Sequence, residues 1–352
     1  MAATSSPGAR AQSAIVRGLA ALPDGLLRRL VGRPVERDGQ QLHVEPQLAL
    51  RLLALAGEKD LADSSVAEAR ARITHDAATF EGPKVEVGSI AEVAAQGAEG
   101  PLRARLYTPA EADGPGPLLV YFHGGGFVVG DLDTHDNACR FLSRRSGVRV
   151  LSVGYRLAPE HPFPAPIDDA VAAFRFAVEH AGELGADPAR IAVGGDSAGG
   201  NLAAGVARIA TAEGGPAPAF QLLFYPWLDL SSERRSHELF AEGFYLTRSD
   251  LRWYGAHYLT EASTATDPRC SPLAADELGG GPPAYVTTAG FDPLRDEGEE
   301  YARRLRQAGT QVALRRHAGL IHGFVNTVAI GHVAREAVLE ATGALRMALA
   351  SG

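Results

Sequence analysis

A lone serine lies where an apolar run meets a helical pattern, in the stretch "IAVGGDSAGGNLAAG" at residues 191–205. The glycines at 195 and 199 flank Ser197 and allow a sharp turn that presents the serine oxygen at the end of a strand. A serine at such a junction either caps the helix that follows or acts as a nucleophile. The Gly-x-Ser-x-Gly spacing favours the nucleophile, although the motif alone leaves both interpretations open.

A nucleophilic serine needs a histidine base, because its hydroxyl is a weak nucleophile at neutral pH. Four histidines follow Ser197 in positions that allow this role, namely His237, His257, His317 and His322. His322, in "LIHGFVN", follows the last predicted strand and precedes a glycine, so we expect it on a loop at the carboxyl edge of the sheet. His317 ends the same strand pattern and is better explained as a surface residue. We predict that His322 is the base.

The base in turn needs a carboxylate that fixes its tautomer. Asp292 directly follows the apolar run "AYVTT", and Pro293 marks a turn after it. Asp296 and Glu297 fall in the first turn of the next helical pattern, where the helix dipole favours carboxylates for structural reasons alone. We therefore predict Asp292 as the acid.

The glycine run in "VYFHGGGFVVGD", residues 120–131, is suited to binding an oxyanion, because glycines let backbone N–H groups approach a substrate. We predict Gly124, Gly125 and Ala198 as donors to that oxyanion. The run also resembles part of a dinucleotide-binding fingerprint, but its third glycine falls at Gly130 and no helix opens at once. No cofactor is expected.

Several potential metal ligands follow the glycine run. Their positions suit helix capping and a first helical turn, so we predict no metal, with a metal site as the less favoured alternative. These residues are Asp131, Asp133, His135, Asp136 and Cys139. His123 is expected to orient the glycine loop, and Asp196 is expected to hold either that loop or the serine turn in shape.

The elements that must position these residues follow a clear order. Residues 1–82 have apolar residues at helical spacing and little strand character, which predicts an N-terminal helical cap. Residues 83–352 alternate strands and helices, which predicts an α/β fold with a mostly parallel central sheet of about eight strands and helices on both faces. The predicted strands are "KVEVGSI", "LRARLYTP", "PLLVYFHG", "VRVLSVGYR", "RIAVGGD", "FQLLFYPWL", "PAYVTTAG" and "QVALRRHA".

One connection is too long for such a fold, and its segment 231–265 has its own helical pattern, which predicts a second part of the cap. We expect Phe127, Trp227, Phe244 and Ile321 to line the substrate pocket. The aromatic residues of this region, which also include Tyr245, Trp253 and Tyr254, are equally well explained as core.

Composition narrows the class of protein. The net charge of −8 provides no basic surface for nucleic acid or an anionic membrane. The two cysteines, Cys139 and Cys270, form no metal or redox motif and are expected to be buried free thiols. Arg17 and Pro23 interrupt any signal-peptide core, and no apolar stretch is long enough for a membrane span, which favours a cytoplasmic protein.

Five motifs in this order resemble those of the hormone-sensitive-lipase-like carboxylesterases, the bacterial family IV of α/β-hydrolases. They are "HGGGF", "YRLAPEHPFPAPIDDA", "GDSAGGNLA", "DPLRDEGEEYA" and "HGF". The resemblance runs from about residue 83 to the C-terminus. It implies an α/β-hydrolase fold, a triad of Ser197, Asp292 and His322, oxyanion donors at Gly124, Gly125 and Ala198, and hydrolysis of short- to medium-chain acyl esters without a cofactor.

Alternatives remain open at this point. An acyltransferase or an amidase would use the same triad, and a product analysis with competing alcohol or amine would separate these. A non-catalytic ligand-binding protein on the same scaffold is less favoured, since such proteins have lost a triad member and all three residues stand here. The last strand and the C-terminal helix are compatible with a homodimer.

Overall fold

The computed structural model describes residues 7–57 and 61–350. Its N-terminal part consists of helices and a short hairpin that the sequence did not indicate. The elements are α1 (Pro7–Ala20), α2 (Asp24–Val31), the hairpin strands β1 (Glu36–Arg37) and β2 (Gln40–Gln41), α3 (Val44–Ala56) and α4 (Val66–Phe80). Residues 1–6 and 58–60 of the predicted cap lie outside the described residues. Helix α4 begins at a capping box in which Ser65 and Glu68 satisfy each other's backbone N–H groups.

An eight-stranded sheet forms the centre of the remaining chain. Its strands are β3 (Ser89–Gly97), β4 (Gly100–Thr108), β5 (Gly116–Phe122), β6 (Arg149–Val153), β7 (Ala186–Asp196), β8 (Gln221–Phe224), β9 (Ala284–Phe291) and β10 (Val312–Ile321). The spatial order is β10-β9-β8-β7-β5-β6-β4-β3. Strands β3 and β4 are antiparallel to their neighbours and the other pairs are parallel, which confirms the predicted mostly parallel sheet.

The first predicted strand, "KVEVGSI" at 84–90, is wrong over most of its length, because β3 begins at Ser89. The preceding residues pack against a helix instead. The Val85 N–H donates to Asn137 Oδ1 at 2.8 Å, and Lys84 pairs with Asp136 at 2.8 Å. These tertiary contacts outweigh the alternating pattern that suggested a strand.

Helices cover both faces of the sheet. They are α5 (Asp136–Ser146), α6 (Ala165–Glu179), α7 (Ala198–Glu213), α8 (Arg235–Leu239), α9 (Arg248–Tyr258), α10 (Arg295–Gln307) and α11 (His332–Ala348). In β5, Leu118 and Val120 face a core shared with α6, α7 and α10, whereas Leu119 and Tyr121 face a core shared with α5 and α11. This strand is therefore buried on both sides, as its unbroken apolar run predicts.

Helices α8 and α9 lie within the segment 231–265, in agreement with the helical pattern read there. No helix in the ranges 7–57 and 61–350 is long and apolar enough to cross a membrane.

Candidate active site

Ser197 lies on a strained turn between β7 and α7, with a φ of 55° that L-residues rarely adopt. The flanking glycines are required by space: a Cβ on Gly199 would lie 1.9 Å from Phe122 O, and one on Gly195 would lie 2.4 Å from Gly199 C. The Ser197 side chain makes no capping hydrogen bond to α7. The turn therefore has the geometry of a nucleophile elbow, and the capping interpretation of Ser197 does not apply.

Asp292 and His322 meet at the carboxyl edge of the sheet, where they follow β9 and β10. His322 Nδ1 lies 2.8 Å from Asp292 Oδ2, and Asp292 Oδ1 accepts the Leu294 N–H at 2.9 Å. Asp292 is fully buried. Because a carboxylate accepts, Nδ1 carries the proton in this contact and Nε2 is the ring nitrogen left for proton exchange.

The neighbouring strands bring Ser197 to the same edge. Asp196, which precedes it, is in register with Phe224 of β8, which is in turn in register with Thr287 of β9. The ring of Tyr225, directly after β8, lies 4.4 Å from the ring of His322. Among the described residues, no hydrogen bond to the Ser197 hydroxyl is found.

The alternatives to His322 as base and Asp292 as acid, His317 and Asp296, both make contacts that explain them as structural residues. His317 lies inside β10 with its ring 5.7 Å from that of Phe324. Asp296 accepts the Ser236 N–H at 2.9 Å and pairs with Arg295, at the start of α10. Neither residue forms a hydrogen bond or ion pair with Asp292 or His322, all four of which lie in the described ranges.

The glycine loop gives one correction to the predicted oxyanion donors. The Gly124 N–H donates to Asp196 Oδ1 at 3.0 Å, so it is engaged inside the protein and does not fit the predicted role as a donor to substrate. In the described part of the chain the N–H groups of Gly125 and Gly126 have no hydrogen-bond partner. Ala198 opens α7, where the first N–H groups of a helix lack intrahelical acceptors.

Asp196 anchors this loop to the serine turn. Its buried carboxylate accepts from Tyr121 Oη at 2.8 Å as well as from Gly124, and His135 Nε2 lies 3.3 Å from Oδ1. Burial raises the pKa of Asp196, but the charge of His135 and these hydrogen bonds outweigh it, so the pKa lies below its ordinary value. Asp196 therefore remains an anion.

His123 orients the loop from the other side, as expected. Its Nδ1 lies 2.8 Å from Gly124 O, and its ring stacks on that of Tyr155. Burial, followed by the nearby charge of His135, lowers the pKa of His123 to about 4. The ring is thus neutral at pH 7.

The residues weighed as metal ligands are occupied by protein contacts. Asp131 accepts the N–H groups of Asp133 and Thr134, and Asp136 in the first turn of α5 pairs with Lys84 and Arg140. Within 7–57 and 61–350, no group of three or more His, Cys, Asp or Glu residues could hold a metal ion. The two cysteines are buried free thiols, as predicted.

A cavity of about 150 Å³ lies between the N-terminal helices and the loop that carries His322. Of the four side chains predicted to line a substrate pocket, Ile321 lines this cavity. Phe127 stacks on Tyr258, and Phe244 packs against Phe240 and Phe291.

Trp227 lines a second cavity, of about 410 Å³, between its own loop and α9. The backbone N–H of Trp227 donates to the backbone oxygen of Ser197 at 3.1 Å. The prediction that Phe127, Trp227, Phe244 and Ile321 contact substrate stays a prediction.

Sequence reasoning missed two residues near the site. Residue type predicts capping for His135, yet Nε2 of its buried ring lies 3.3 Å from Asp196 Oδ1 and within contact distance of Asn326 on the histidine loop. Glu297 was read as a first-turn carboxylate, yet it is fully buried and accepts the Leu228 N–H. No motif signalled either role, because both depend on loops far apart in sequence.

A family model described as the alpha/beta hydrolase fold matches residues 119–326. The chain belongs to this family of α/β-hydrolases. It is 46% identical to carboxylic ester hydrolase LipN of Mycobacterium tuberculosis, over 90% of this chain and 85% of that protein. It is also 39% identical to the ethyl acetate hydrolase of Pseudomonas putida, over 80% of this chain and 90% of that protein.

Solved structures agree with this assignment. The ester hydrolase EH1AB1 from the metagenome of Lake Arreo, complexed with a bipyridine phosphonate derivative, is 43% identical and superposes with a TM-score of 0.84, over 87% of this chain and 98% of that one. The hyperthermophilic esterase of Pyrobaculum calidifontis is 39% identical with a TM-score of 0.81, over 86% and 97%. The resemblance to hormone-sensitive-lipase-like esterases is confirmed, and this hydrolase is a carboxylic ester hydrolase.

Proposed function

We propose that this hydrolase cleaves small, short- to medium-chain carboxylic esters through an acyl-enzyme intermediate on Ser197. The observation that carries the proposal is the 2.8 Å contact between His322 Nδ1 and Asp292 Oδ2 at the sheet edge that also carries Ser197. Asp292 holds the histidine so that Nε2 is unprotonated and available as a base. The strained serine turn exposes the nucleophile beside it.

In the acylation step, Ser197 Oγ attacks the ester carbonyl carbon while its proton passes to His322 Nε2. The carbonyl oxygen becomes an oxyanion, and the N–H groups of Gly125, Gly126 and Ala198 are its proposed donors. The tetrahedral intermediate then expels the alkoxide oxygen, which takes the proton from Nε2 and leaves as the alcohol. Water repeats the sequence on the acyl-enzyme, so that the carboxylic acid departs and Ser197 regains its proton.

The surroundings of Gly124 explain why the loop can serve as an oxyanion site. Asp196 is adjacent to Ser197 and holds the Gly124 N–H at 3.0 Å, which fixes the glycine loop relative to the nucleophile. A fixed array of donors stabilises a transition state without reorganisation during the reaction. We propose that Asp196 is a positioning residue for this array.

The proposed cap consists of residues 1–82 and 231–265. Helices α3 and α4 of the first segment and Tyr245 of the second line the cavity beside His322. A bounded cavity restricts the size of a substrate group that it admits. The restriction to small esters therefore depends on these cap residues.

The test uses purified protein and p-nitrophenyl esters from acetate to palmitate. Ser197→Ala and His322→Ala should each lower kcat by about 10⁴ or more, and the double variant should lose little further, because the triad acts as a unit. Ser89→Ala, which changes an exposed serine at the start of β3 and outside the proposed cap, is the matched control and should retain full activity. A fluorophosphonate should label Ser197 in the wild type, as measured by mass spectrometry of the peptides.

A single variant at Ser197 or His322 that keeps more than about a tenth of the wild-type rate would contradict the mechanism. Product analysis with competing alcohol or amine measures how much acyl group is transferred rather than hydrolysed. If most of the acyl group is transferred to the acceptor at low acceptor concentration, the function is acyl transfer and not hydrolysis.

A further inference from the structure

The cavity beside His322 has walls of two origins. Leu52 of α3 and Ile73 of α4 contribute the cap side, and the facing wall comes from the segment that begins at Ile321 and includes Phe324. The lining is mainly apolar. Its polar members include Glu45, whose carboxylate is already engaged by the Val333 N–H at 3.2 Å.

The position of this cavity relative to the triad decides which half of an ester it can hold. His322 lines it, whereas Ser197, Gly125 and Ala198 do not. With Nδ1 bonded to Asp292, the proton that His322 delivers leaves from Nε2. A proton donor must lie within about 3.2 Å of its acceptor, so the leaving alcohol oxygen has to approach the histidine, while the acyl carbon stays at the serine.

We propose that this cavity binds the alcohol group of the ester, and that the preferred substrates are esters of apolar alcohols of about six to eight carbons, such as hexyl or benzyl esters. This inference rests on the proposed function and specifies its substrate class. The cavity volume is about 150 Å³. An apolar cavity of about that volume in another protein accommodates benzene.

The second cavity supplies a matched comparison. It is lined by Trp227 and by residues of α9, including Leu251 and Ala256, and His322 is absent from its lining. Its filling is therefore not expected to change the choice of alcohol. Ala49 of α3 and Ala77 of α4 line the first cavity, so enlarging them fills it without removing an existing contact.

The kinetic test uses two ester series: acetates of ethanol, butanol, hexanol and benzyl alcohol, and ethyl esters from acetate to octanoate. In the wild type, kcat/KM for hexyl and benzyl acetate should exceed that for ethyl acetate by about tenfold or more, since each buried methylene adds transition-state binding. Ala49→Phe should remove this advantage and leave ethyl acetate within about threefold of wild type. Ala77→Leu fills the same cavity with a smaller side chain and should have a weaker effect. Ala256→Phe fills the second cavity and should keep the wild-type preference for hexyl and benzyl acetate.

Binding provides a readout that does not require turnover. Benzyl alcohol should bind Ser197→Ala in a titration followed by NMR, and the Ser197→Ala/Ala49→Phe protein should bind it at least about tenfold more weakly. If the wild type hydrolyses no ester of either series but benzyl alcohol still binds in this cavity, the proposed function is refuted and the alcohol site is retained. Two outcomes would overturn the alcohol site. In the first, Ala49→Phe and Ala77→Leu change the kcat/KM preference among the ethyl esters but not among the acetates. In the second, both variants have the same kcat/KM values as the wild type on both series.

Discussion

His135 Nε2 lies 3.3 Å from Oδ1 of Asp196, the residue that precedes Ser197. The same nitrogen lies 3.3 Å from Nδ2 of Asn326, on the turn that follows His322. One buried imidazole thus lies between the serine turn and the histidine loop, and its Nε2–H donates to Asp196 while it only contacts Asn326. Through Asp196 it also reaches the glycine loop, since the same carboxylate accepts the Gly124 N–H.

The first prediction concerns this link. His135→Leu removes the donor to Asp196 and leaves a buried carboxylate with fewer partners, so the glycine loop should lose its fixed position. We expect kcat to fall by about tenfold or more with KM changed by less than about twofold, because a fixed oxyanion array acts in the transition state. His135→Gln keeps an N–H donor and should recover part of kcat.

The matched control for this prediction is His332→Leu, which changes a mostly exposed histidine at the start of α11. Steady-state kinetics and thermal unfolding are measured for all three variants. If His135→Leu lowers the melting temperature but leaves kcat unchanged in folded protein, His135 has a role in stability alone.

The second prediction concerns Gly124. A Cβ at this position would lie 2.4 Å from Asp196 Oδ2, so Gly124→Ala must displace either the loop or the carboxylate. Displacement of the loop would move the N–H groups of Gly125 and Gly126, the proposed oxyanion donors. We therefore expect kcat to fall by about a hundredfold or more, the size of effect seen when one oxyanion donor is removed. Gly343→Ala in α11 is the control, because nothing lies within 4 Å of its added Cβ. Full activity in Gly124→Ala would show that the Asp196 contact is dispensable.

The third prediction separates the two aspartates near the start of α10. Asp292→Asn replaces the carboxylate that fixes the His322 tautomer, and kcat should fall by about 10⁴. Asp296→Asn changes a carboxylate that accepts the Ser236 N–H and should cost less than about threefold in kcat. The kcat values of both variants on one ester provide the test, and the reverse ranking would transfer the acid role to Asp296.

The order of most strands along the chain, and the candidate triad residues at the strand ends, could be predicted because local patterns carry both. The apolar run of β5 is unbroken, as is the stretch 191–195 at the end of β7. Ser197, Asp292 and His322 each directly follow the last residue of a strand. In a parallel sheet, these strand ends meet at one edge whatever the details of the loops. The chain order Ser, Asp, His therefore needed little tertiary information.

The contacts of the loops could not be predicted in the same way. The engagement of Gly124 N–H depends on the side chain of Asp196, which is 72 residues away in sequence. The contact between His135 and Asn326 spans 191 residues. Residue type suggested capping for His135, but packing placed its ring between two loops, and no periodicity reports such a position.

The fourth prediction concerns Glu297 and pH. Burial raises the pKa of Glu297 well above its ordinary value, although the Leu228 N–H bond opposes this. An unfolded glutamate ionises near pH 4.3, so above that pH the folded chain holds a proton that the unfolded chain has released. The contribution of Glu297 to stability is thus present below about pH 4.3 and is lost as pH rises toward the folded pKa.

Glu297→Gln carries no ionisable group and keeps an acceptor for the Leu228 N–H. The difference in free energy of unfolding between this variant and the wild type should therefore move in favour of the variant as pH rises from about 4 to 8. Urea unfolding at several pH values measures it. Glu300→Gln is the control, because Arg303 lowers the pKa of Glu300, and its difference should be small and of opposite sign. A difference for Glu297→Gln that is constant across this pH range would show that Glu297 is ionised in the folded protein.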